Sequence, residues 1–342
     1  MRMVRLPFVP GISVEFADRD LALKRVEDWA EHGMTVVHVV YGPEGCGKSA
    51  WLRQSAVLLR ELGFDVVYVN PMDKEQIIEV SVPDLRKRFM EVVERALANN
   101  TLFQIAWAAY ELAHDLIKAG RRRVAVLADD VFKAIGLDKA SLYVKAMLNL
   151  IEYPPRNYDV VIAVAATSEG LSRREVGRHR WAYLDAMWNM GRDGFRQLYD
   201  QIPGSKPDFE YVWRLTGGNP KLLGQLYETH WNAEPIIRRI QDEKRLPELV
   251  ASLGNKEREL LREAVDDPDT LISREGLPLL DKLVELNITV DSIPSRDPEF
   301  WIDEPPPERD LELGIGRRVA WQSPLHRIAV RRALDNEEGR TA

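Results

Sequence analysis

Eight residues near the start of the chain have the types and spacing of a phosphate-binding loop. They read Gly-Pro-Glu-Gly-Cys-Gly-Lys-Ser over residues 42–49, and a valine-rich run precedes them from Val36 to Tyr41. Glycine lets backbone amides approach phosphate oxygens at dihedral angles that other residues avoid, and a helix after the loop points its N-terminus at the same anion. This order of strand, loop and helix predicts a P-loop that binds a nucleotide.

Two side chains at the end of the loop have predicted roles toward that nucleotide. Lys48 is expected to reach the β and γ phosphates, and Ser49 to give its hydroxyl to Mg²⁺. The alternative is a chance glycine-containing turn, and Cys46 alone would also suit a reactive thiol at a helix N-terminus. The strand and helix on either side favour the P-loop. The predicted nucleotide-binding residues are Gly42, Pro43, Glu44, Gly45, Cys46, Gly47, Lys48, Ser49 and Ala50.

Two adjacent carboxylates, Asp129 and Asp130, close an apolar strand that begins at Val124. The first is expected to hold Mg²⁺ through its water shell. The second is expected to orient or deprotonate the water that attacks the nucleotide during hydrolysis. Alternatively, the two acids begin a solvated loop or cap the next helix. Many P-loop ATPases have glutamate at the second position, and aspartate is one methylene shorter. Slow hydrolysis is therefore expected.

Thr167 and Ser168 end the following strand, beside the tips of the strands that lead to the P-loop and to the two acids. A hydroxyl there is expected to detect the γ-phosphate or to help hold the water, with an N-cap for the segment 169–174 as the alternative. An arginine near the γ-phosphate would stabilise transition-state charge. The sequence does not choose among Arg173, Arg174, Arg178, Arg180 and Arg192.

The elements that must position these residues alternate between strand and helix. Strands are predicted at 36–41, 65–70, 124–130 and 159–166, with a less distinct one at 181–188. Helices are predicted at 21–31, 50–62, 83–120 with a break near Asn99-Asn100, and 139–152. This alternation predicts an α/β fold, a P-loop NTPase core whose parallel β-sheet is flanked by helices.

The pattern becomes helical after residue 203, with helices predicted at 208–215, 221–231 and 235–253. Helices at 256–265 and 274–286, followed by β-like pieces at 288–290, 300–302 and 318–321, outline a winged helix. The predicted domains are thus a core (1–203), a helical lid (204–254) and a winged helix (255–342). The sequence Thr216-Gly-Gly-Asn-Pro220, here called the lid motif, predicts a helix stop followed by a helix start. Its functional interpretation places Pro220 over an adenine.

Composition narrows the class of protein. The net charge is −7 with 30% charged residues, so an overall basic surface for nucleic acid is absent. One cysteine fits a reducing cytoplasm, and no apolar run reaches the roughly 18 residues of a membrane span. A soluble cytoplasmic protein is expected. Many charges of both signs and few thiols favour a heat-adapted source.

DNA binding is possible from the sequence but is not favoured. The predicted recognition helix, 274–286, carries Glu275, Asp281 and Glu285, which would lie against phosphates. Basic residues near the C-terminus would contact a nucleic-acid backbone or merely face solvent: Arg317, Arg318, Arg327, Arg331 and Arg332. A module that binds protein or regulates the ATPase is the alternative for this domain.

Several segments together resemble the archaeal ATPase family, which belongs to the STAND branch of AAA+-like P-loop ATPases. They are Gly42–Ser49, Val124–Asp130, Ala166–Gly170, Leu215–Pro220 and Arg318–Leu325. The resemblance covers nearly the whole chain, from Phe16 to about Leu334. Gly-Gly-Asn-Pro in the lid motif is more discriminating than the P-loop, which many families share.

The resemblance implies that ATP binds between core and lid, with Phe16 and Arg19 near the adenine and Pro220 over the base. It also implies that hydrolysis switches the domains between closed and open arrangements. Two residues depart from the family pattern. Asp130 stands where glutamate is frequent. The lid segment Thr216–Leu223 has no arginine, so the arginine sensor usual in hexameric AAA+ machines is missing, and Lys221 in its vicinity is not interchangeable with it.

The leading hypothesis is a Mg²⁺-dependent ATPase switch in which Lys48, Ser49 and Asp129 hold MgATP, and Asp130 and Thr167 position water. An ATP-dependent DNA-binding protein like the Orc/Cdc6 group and a nucleotide-binding scaffold with little turnover are the alternatives. A protein partner and nucleotide-dependent oligomerisation are also expected. The sequence identifies neither the partner nor the biological process.

Overall fold

The computed structural model describes residues 2–73, 78–80, 83–99, 101–168 and 170–341. Asn100 and Glu169, which fell in two of the predicted segments, lie outside these residues. The strands are β1 (Arg5–Val9), β2 (Ile12–Glu15), β3 (Val37–Tyr41), β4 (Asp65–Val69), β5 (Ile78–Val80), β6 (Arg123–Asp129), β7 (Val160–Thr167), β8 (Ala182–Ala186), β9 (Thr289–Val290) and β10 (Ala320–Trp321). The first eight helices are α1 (Asp20–His32), α2 (Lys48–Glu61), α3 (Pro83–Ala98), α4 (Leu102–Lys118), α5 (Val131–Ile135), α6 (Leu137–Glu152), α7 (Gly170–Val176) and α8 (Arg192–Asp200). The others are α9 (Phe209–Thr216), α10 (Pro220–Glu228), α11 (Glu234–Glu243), α12 (Leu246–Ser252), α13 (Asn255–Asp266), α14 (Leu277–Glu285) and α15 (Pro324–Thr341).

The chain divides into two compact units. Unit 1 comprises Met1–Val4, Arg19–Tyr41 and Lys48–Asp185, and unit 2 comprises Arg5–Asp18, Gly42–Gly47 and Ala186–Ala342. The division passes through the P-loop, so its glycine-rich part is described with unit 2 and its end with unit 1. The three-domain division predicted from the sequence stays a prediction.

A six-stranded sheet organises the first unit, in the order β5-β4-β6-β7-β3-β8. The pairs β4–β6, β6–β7 and β3–β7 are parallel, whereas β5 joins β4 antiparallel. Every residue of β7 is buried. Strands covered by helices on both faces need apolar residues throughout, which explains their valine-rich runs. The predicted α/β fold with a parallel sheet flanked by helices is confirmed.

Unit 1 has its own hydrophobic core between sheet and helices. Helix α4 contributes Ile105, Ala109, Leu112 and Leu116, which recur at helical spacing and are all buried. Each fully buried aliphatic side chain of this size contributes about 1.5–3 kcal/mol relative to exposure. Helices of this kind cover the sheet whose strand ends carry the candidate site.

Unit 2 is mainly helical, with two short antiparallel pairs, β1–β2 and β9–β10. Its core includes Phe195, Phe209, Leu226 and Trp321. The β1–β2 hairpin was not predicted from the sequence. Its first strand contains Pro7, which removes a backbone donor and obscures the alternating pattern.

Some predicted elements of the C-terminal half were wrong. The single helix expected at 235–253 is two helices, because Pro247 in the first turn of α12 cannot continue α11 and Arg245 adopts a left-handed conformation with φ of 49°. Of the β-like piece expected at 300–302, Phe300 instead ends a 3₁₀ helix, Pro298–Phe300, while Trp301 forms an isolated parallel bridge with Ala186. Helix α15 was not predicted. The winged-helix assignment stays a prediction, although β9 and β10 pair as a wing would require.

No helix among the described residues is long and apolar enough to cross a membrane.

Candidate functional site

The strand ends of unit 1 bring the sequence-predicted residues into one row. Tyr41, which ends β3, is the register partner of Thr167 on β7, and Asp129 on β6 is the partner of Ala166. The amide of Asp130 donates to the carbonyl of Ala166 at 3.2 Å. Because parallel strands end at the same edge, the P-loop strand, Thr167 and the two acids adjoin one another, as the sequence predicted.

Asp129 is almost fully buried, with an exposed fraction of 1%. Burial raises its pKa to about 6, and the neighbouring Asp130 adds to this, while hydrogen bonds from Ser49 and Tyr68 and the charge of Lys48 act in the opposite direction. The carboxylate therefore lies beside the serine and the lysine that begin α2. These are the three residues expected to hold a magnesium–nucleotide complex.

Two further donors to Asp129, one on β4 and one directly after it, were not identified from the sequence. The hydroxyl of Tyr68 donates to Oδ2 of Asp129 at 2.9 Å, and Nδ2 of Asn70 donates to the same oxygen at 3.1 Å. A signal existed, because β4 is the neighbour of β6 and polar residues at its carboxyl end must lie near Asp129.

Asp130 stands at the N-cap position of α5, yet its side chain makes no capping hydrogen bond. Its backbone is left-handed, with φ of 47°, and Lys133 lies 3.9 Å from its Oδ1. The helix-capping alternative for this acid is therefore not supported. Non-glycine residues held in this conformation cost of order 1 kcal/mol or more and concentrate at functional sites.

The five candidate arginines differ in their surroundings. Arg173 is buried, and its guanidinium lies over the ring of Tyr41 at 4.9 Å. Arg178 is exposed and pairs with Glu175 at 2.7 Å, whereas Arg192 of unit 2 pairs with Glu210. Arg174 is half-buried and Arg180 is exposed. Arg173 alone of the five is buried against the strand that leads to the P-loop.

The glycine-rich part of the loop is closely packed within unit 2. A Cβ on Gly42 would lie 1.8 Å from the carbonyl oxygen of Met187, and one on Gly45 would lie 2.4 Å from Cβ of Lys221. Gly47 has φ of 105°, and among the described residues no atom beyond its chain neighbours lies within 4 Å of its missing Cβ, so its constraint is conformational. The loop glycines thus serve backbone packing as well as the predicted approach to phosphate.

Replacing Gly42 with alanine should destabilise the protein by about 3 kcal/mol, because the contact is with a backbone carbonyl that cannot rotate away. Gly254→Ala is the matched control, since its nearest neighbour would be Oε2 of Glu257 at 3.7 Å. Chemical denaturation of both variants measures the difference. Equal midpoints for Gly42→Ala and the wild type would contradict the packing described for the loop.

Glu44 links the loop to the lid motif. Its Oε1 lies 2.6 Å from Nζ of Lys221, and its carbonyl accepts from Nδ2 of Asn219 at 2.8 Å. The amide of Lys221 also donates to the carbonyl of Gly45 at 3.3 Å. Asn219 caps α10 by accepting from the amide of Leu222. The predicted helix stop and helix start are confirmed, but sequence alone gave no sign of their contact with the loop.

Glu44 also contacts two segments nearer the C-terminus. Its amide donates to Oε1 of Gln322 at 3.0 Å, and its Oε2 accepts from Nδ2 of Asn287 at 3.2 Å. Gln322 in turn donates to Oδ1 of Asn287 at 2.8 Å. Glu44, Asn219, Lys221, Asn287 and Gln322 are called the Glu44 cluster below. Loop, lid motif and C-terminal segments are therefore hydrogen-bonded within unit 2.

The remaining residues predicted to contact the nucleotide are mostly buried. Cys46 is fully buried, and its Sγ donates to the carbonyl of Met187 at 3.7 Å, which favours a packed residue of the P-loop over a reactive thiol. Pro220 occupies the first turn of α10. Phe16 in unit 2 and Arg19 in unit 1 are both buried, and Arg19 has a left-handed backbone.

The donor set suits a hard cation held partly by phosphate. Within the described ranges, no group of three or more His, Cys, Asp or Glu side chains is placed to hold a metal. Mg²⁺ in nucleotide sites typically uses one or two protein oxygens, with water and phosphate completing its shell. The Ser49 hydroxyl beside the Asp129 carboxylate meets this requirement.

Comparison with known families identifies the chain. A family of ATPase domains found predominantly in Archaea matches residues 16–226. The match spans more than half of the 342 residues, and the chain belongs to this archaeal ATPase family. It is accordingly a nucleotide-binding ATPase of the P-loop class. None of the curated proteins compared with the chain gives a match.

Solved structures resemble the chain only distantly. Cdc6p from Pyrobaculum aerophilum is 13% identical with a TM-score of 0.41, over 96% of this chain and 97% of that one. The Orc1 protein of Aeropyrum pernix in complex with DNA is 16% identical with a TM-score of 0.34, over 94% and 93%. AMPPCP-bound DnaA from Aquifex aeolicus is 15% identical with a TM-score of 0.39, over 79% and 84%. At these scores no functional conclusion follows.

Proposed function

We propose that the protein is a slow, Mg²⁺-dependent ATP hydrolase whose nucleotide state controls a conformational switch of the STAND type. The observation that carries the proposal is a contact between the end of a strand and the start of a helix. Ser49, beside Lys48 at the start of α2, is hydrogen-bonded to the buried carboxylate of Asp129, which ends β6. A serine, a lysine and a carboxylate in this arrangement are the parts that P-loop NTPases use for a magnesium–nucleotide complex.

Each residue of the row has a role in the proposed reaction. Backbone amides between Gly45 and Ala50 bind the phosphates, and Lys48 places its charge near the β and γ positions. Mg²⁺, when bound by Ser49 and through water by Asp129, would supply positive charge that offsets the charge on the phosphate oxygens. Asp130 accepts hydrogen bonds from the attacking water, and Thr167 orients the same water from the adjacent strand end.

Arg173 is the arginine that we assign to the γ-phosphate. It is buried over Tyr41, which directly precedes Gly42 and is the register partner of Thr167. A guanidinium held in this way can interact with transferred phosphate without the entropy loss of ordering an exposed chain.

The Glu44 cluster is the proposed link between nucleotide and switch. Glu44 belongs to the loop that binds phosphate, and its contacts reach the lid motif, Asn287 and Gln322 within unit 2. A change in the loop on hydrolysis changes these hydrogen bonds, and so favours a different arrangement of the lid. Pro220, directly before Lys221, is the proposed contact to the base.

The test of the whole proposal is nucleotide binding and turnover by the purified chain. MgATP should bind, phosphate should be released slowly at elevated temperature, and limited proteolysis should give different patterns with ATP and ADP. A protein that binds no MgATP would refute the proposal, and identical cleavage in both nucleotides would refute its switch component.

Lys221→Met tests the link separately. Both side chains of the Lys221–Glu44 pair are about half exposed, so its contribution is at most about 1 kcal/mol, and the variant should remain folded. ADP release should accelerate two- to fivefold, which is the rate equivalent of that energy. Stopped-flow release of a fluorescent ADP measures the effect, with Lys256→Met, at an exposed position of α13, as control. Equal rates in both variants would contradict a role for the pair.

The contacts of the C-terminal arginines argue against the DNA-binding alternative. Arg331 pairs with Asp266 at 2.5 Å, and Arg327 donates to backbone carbonyls, including that of Glu312 at 2.7 Å. Arg332 pairs with Glu234. Arginines engaged in this way would have to break contacts before binding phosphates. A scaffold with little turnover remains the competing proposal.

A further inference from the structure

The carboxyl end of β4 and the residue that follows it place two hydrogen-bond donors at one oxygen of the carboxylate assigned to the metal. Tyr68 on β4 and Asn70, the residue directly after this strand, both donate to Oδ2 of Asp129 at the spacing i, i+2 that puts side chains on one side of an extended chain. All three side chains are buried, with exposed fractions of 2%, 6% and 1%. Neither of these two hydrogen bonds involves the second oxygen, Oδ1.

The orientation of each donor is fixed by another contact. Oδ1 of Asn70 accepts from the amide of Met72 at 3.0 Å, so Nδ2 is the part of the amide that faces Asp129. Tyr68 is also hydrogen-bonded to Arg53, which is bound to Asp73 at 2.5 Å. Arginine has no acceptor, so the Tyr68 oxygen accepts from Arg53 and directs its own proton at Asp129.

We propose that Tyr68 and Asn70 are positioning residues that hold the Asp129 carboxylate in the orientation required by Mg²⁺. The inference rests on the proposed function, because it assigns the metal to Asp129. Two donors on Oδ2 fix the plane of the carboxylate and direct Oδ1 away from β4. Hydrogen bonds to ligands of a metal orient them, and loss of such a partner commonly weakens metal binding 10- to 100-fold.

A purely structural role is the competing explanation, because a buried carboxylate needs hydrogen bonds whether or not it meets a metal. The two explanations differ in what is lost. A structural role lowers thermal stability alone. A positioning role weakens metal binding while nucleotide binding without metal is retained.

The experiment uses the full chain as Tyr68→Phe, Asn70→Ala and Tyr143→Phe. The last is a matched control, because the Tyr143 hydroxyl is buried and has no hydrogen-bond partner in the described part of unit 1. Mn²⁺ binding to the ADP-loaded protein is followed by loss of the free-ion EPR signal, and ADP affinity is measured separately in EDTA. Thermal unfolding by circular dichroism confirms folding.

We expect Mn²⁺ affinity to fall about tenfold in Tyr68→Phe and in Asn70→Ala and to be unchanged in Tyr143→Phe. ADP affinity in EDTA should stay within about twofold of the wild type. Unchanged Mn²⁺ affinity in the first two variants, or an equal loss of ADP affinity in EDTA, would overturn the positioning role alone. A wild-type protein that binds no ADP would instead overturn the proposed function on which it rests.

Discussion

Lys48→Ala should lower ATP turnover by at least about 100-fold, the size of effect seen when one donor to a developing anion is removed. Lys48 begins α2 and has an exposed fraction of 5%, and its charge acts to lower the pKa of Asp129. The variant therefore loses the cation expected at the β and γ phosphates, where charge develops as the phosphoryl group leaves. Phosphate release at saturating MgATP, with single-turnover measurements, separates weaker binding from slower chemistry.

Lys118→Ala serves as the control for this variant. Lys118 is exposed in the last turn of α4, in the same unit, so its loss changes the net charge equally without affecting the P-loop. Its turnover should match that of the wild type. If Lys48→Ala retained wild-type turnover, the assignment of residues 42–49 to the nucleotide would be refuted.

Asp130→Asn should lower turnover about 100-fold and leave ATP binding unchanged. General acid–base groups commonly contribute 10²–10⁴-fold, and asparagine keeps the shape of the side chain while losing its basicity. The lower end of that range is expected because the aspartate is shorter than the usual glutamate. Asparagine also tolerates the left-handed backbone found here, so folding should be retained.

This second variant decides between an ATPase and a nucleotide-binding scaffold. If the phosphate released by the wild type came from a contaminant, Asp130→Asn would release it at the same rate. Asp115→Asn, at an exposed position of α4, controls for the loss of one negative charge. A preserved turnover in Asp130→Asn would favour the scaffold.

The sequence predicted the elements whose pattern is local. Strands β3, β4, β6 and β7 are short valine- and alanine-rich runs with clear ends, and each was found within about two residues of its observed bounds. Because parallel strands end together, the placement of Thr167 beside the P-loop strand followed from topology alone. The roles of these residues stay predictions.

The contacts that could not be predicted are those made by residues distant in sequence. Glu44 meets Gln322 across 278 positions and Asn287 across 243, and nothing near Glu44 indicates these partners. The contacts of Tyr68 and Asn70 with Asp129 were partly predictable, because strand order implies that these positions are close but residue type does not indicate the contact. Helix α15 was missed because its many charged residues obscure an apolar face.

Burial of Cys46 has a practical consequence for following the proposed switch. It is the only cysteine of the chain, it is fully buried, and its sulfur is directed at a backbone carbonyl. Thiol-reactive dyes attack the exposed thiolate, so the native thiol reacts slowly while the protein is folded. Pairs of fluorophores can therefore be attached to cysteines introduced on the surface, and energy transfer between them followed, with the P-loop sequence left intact.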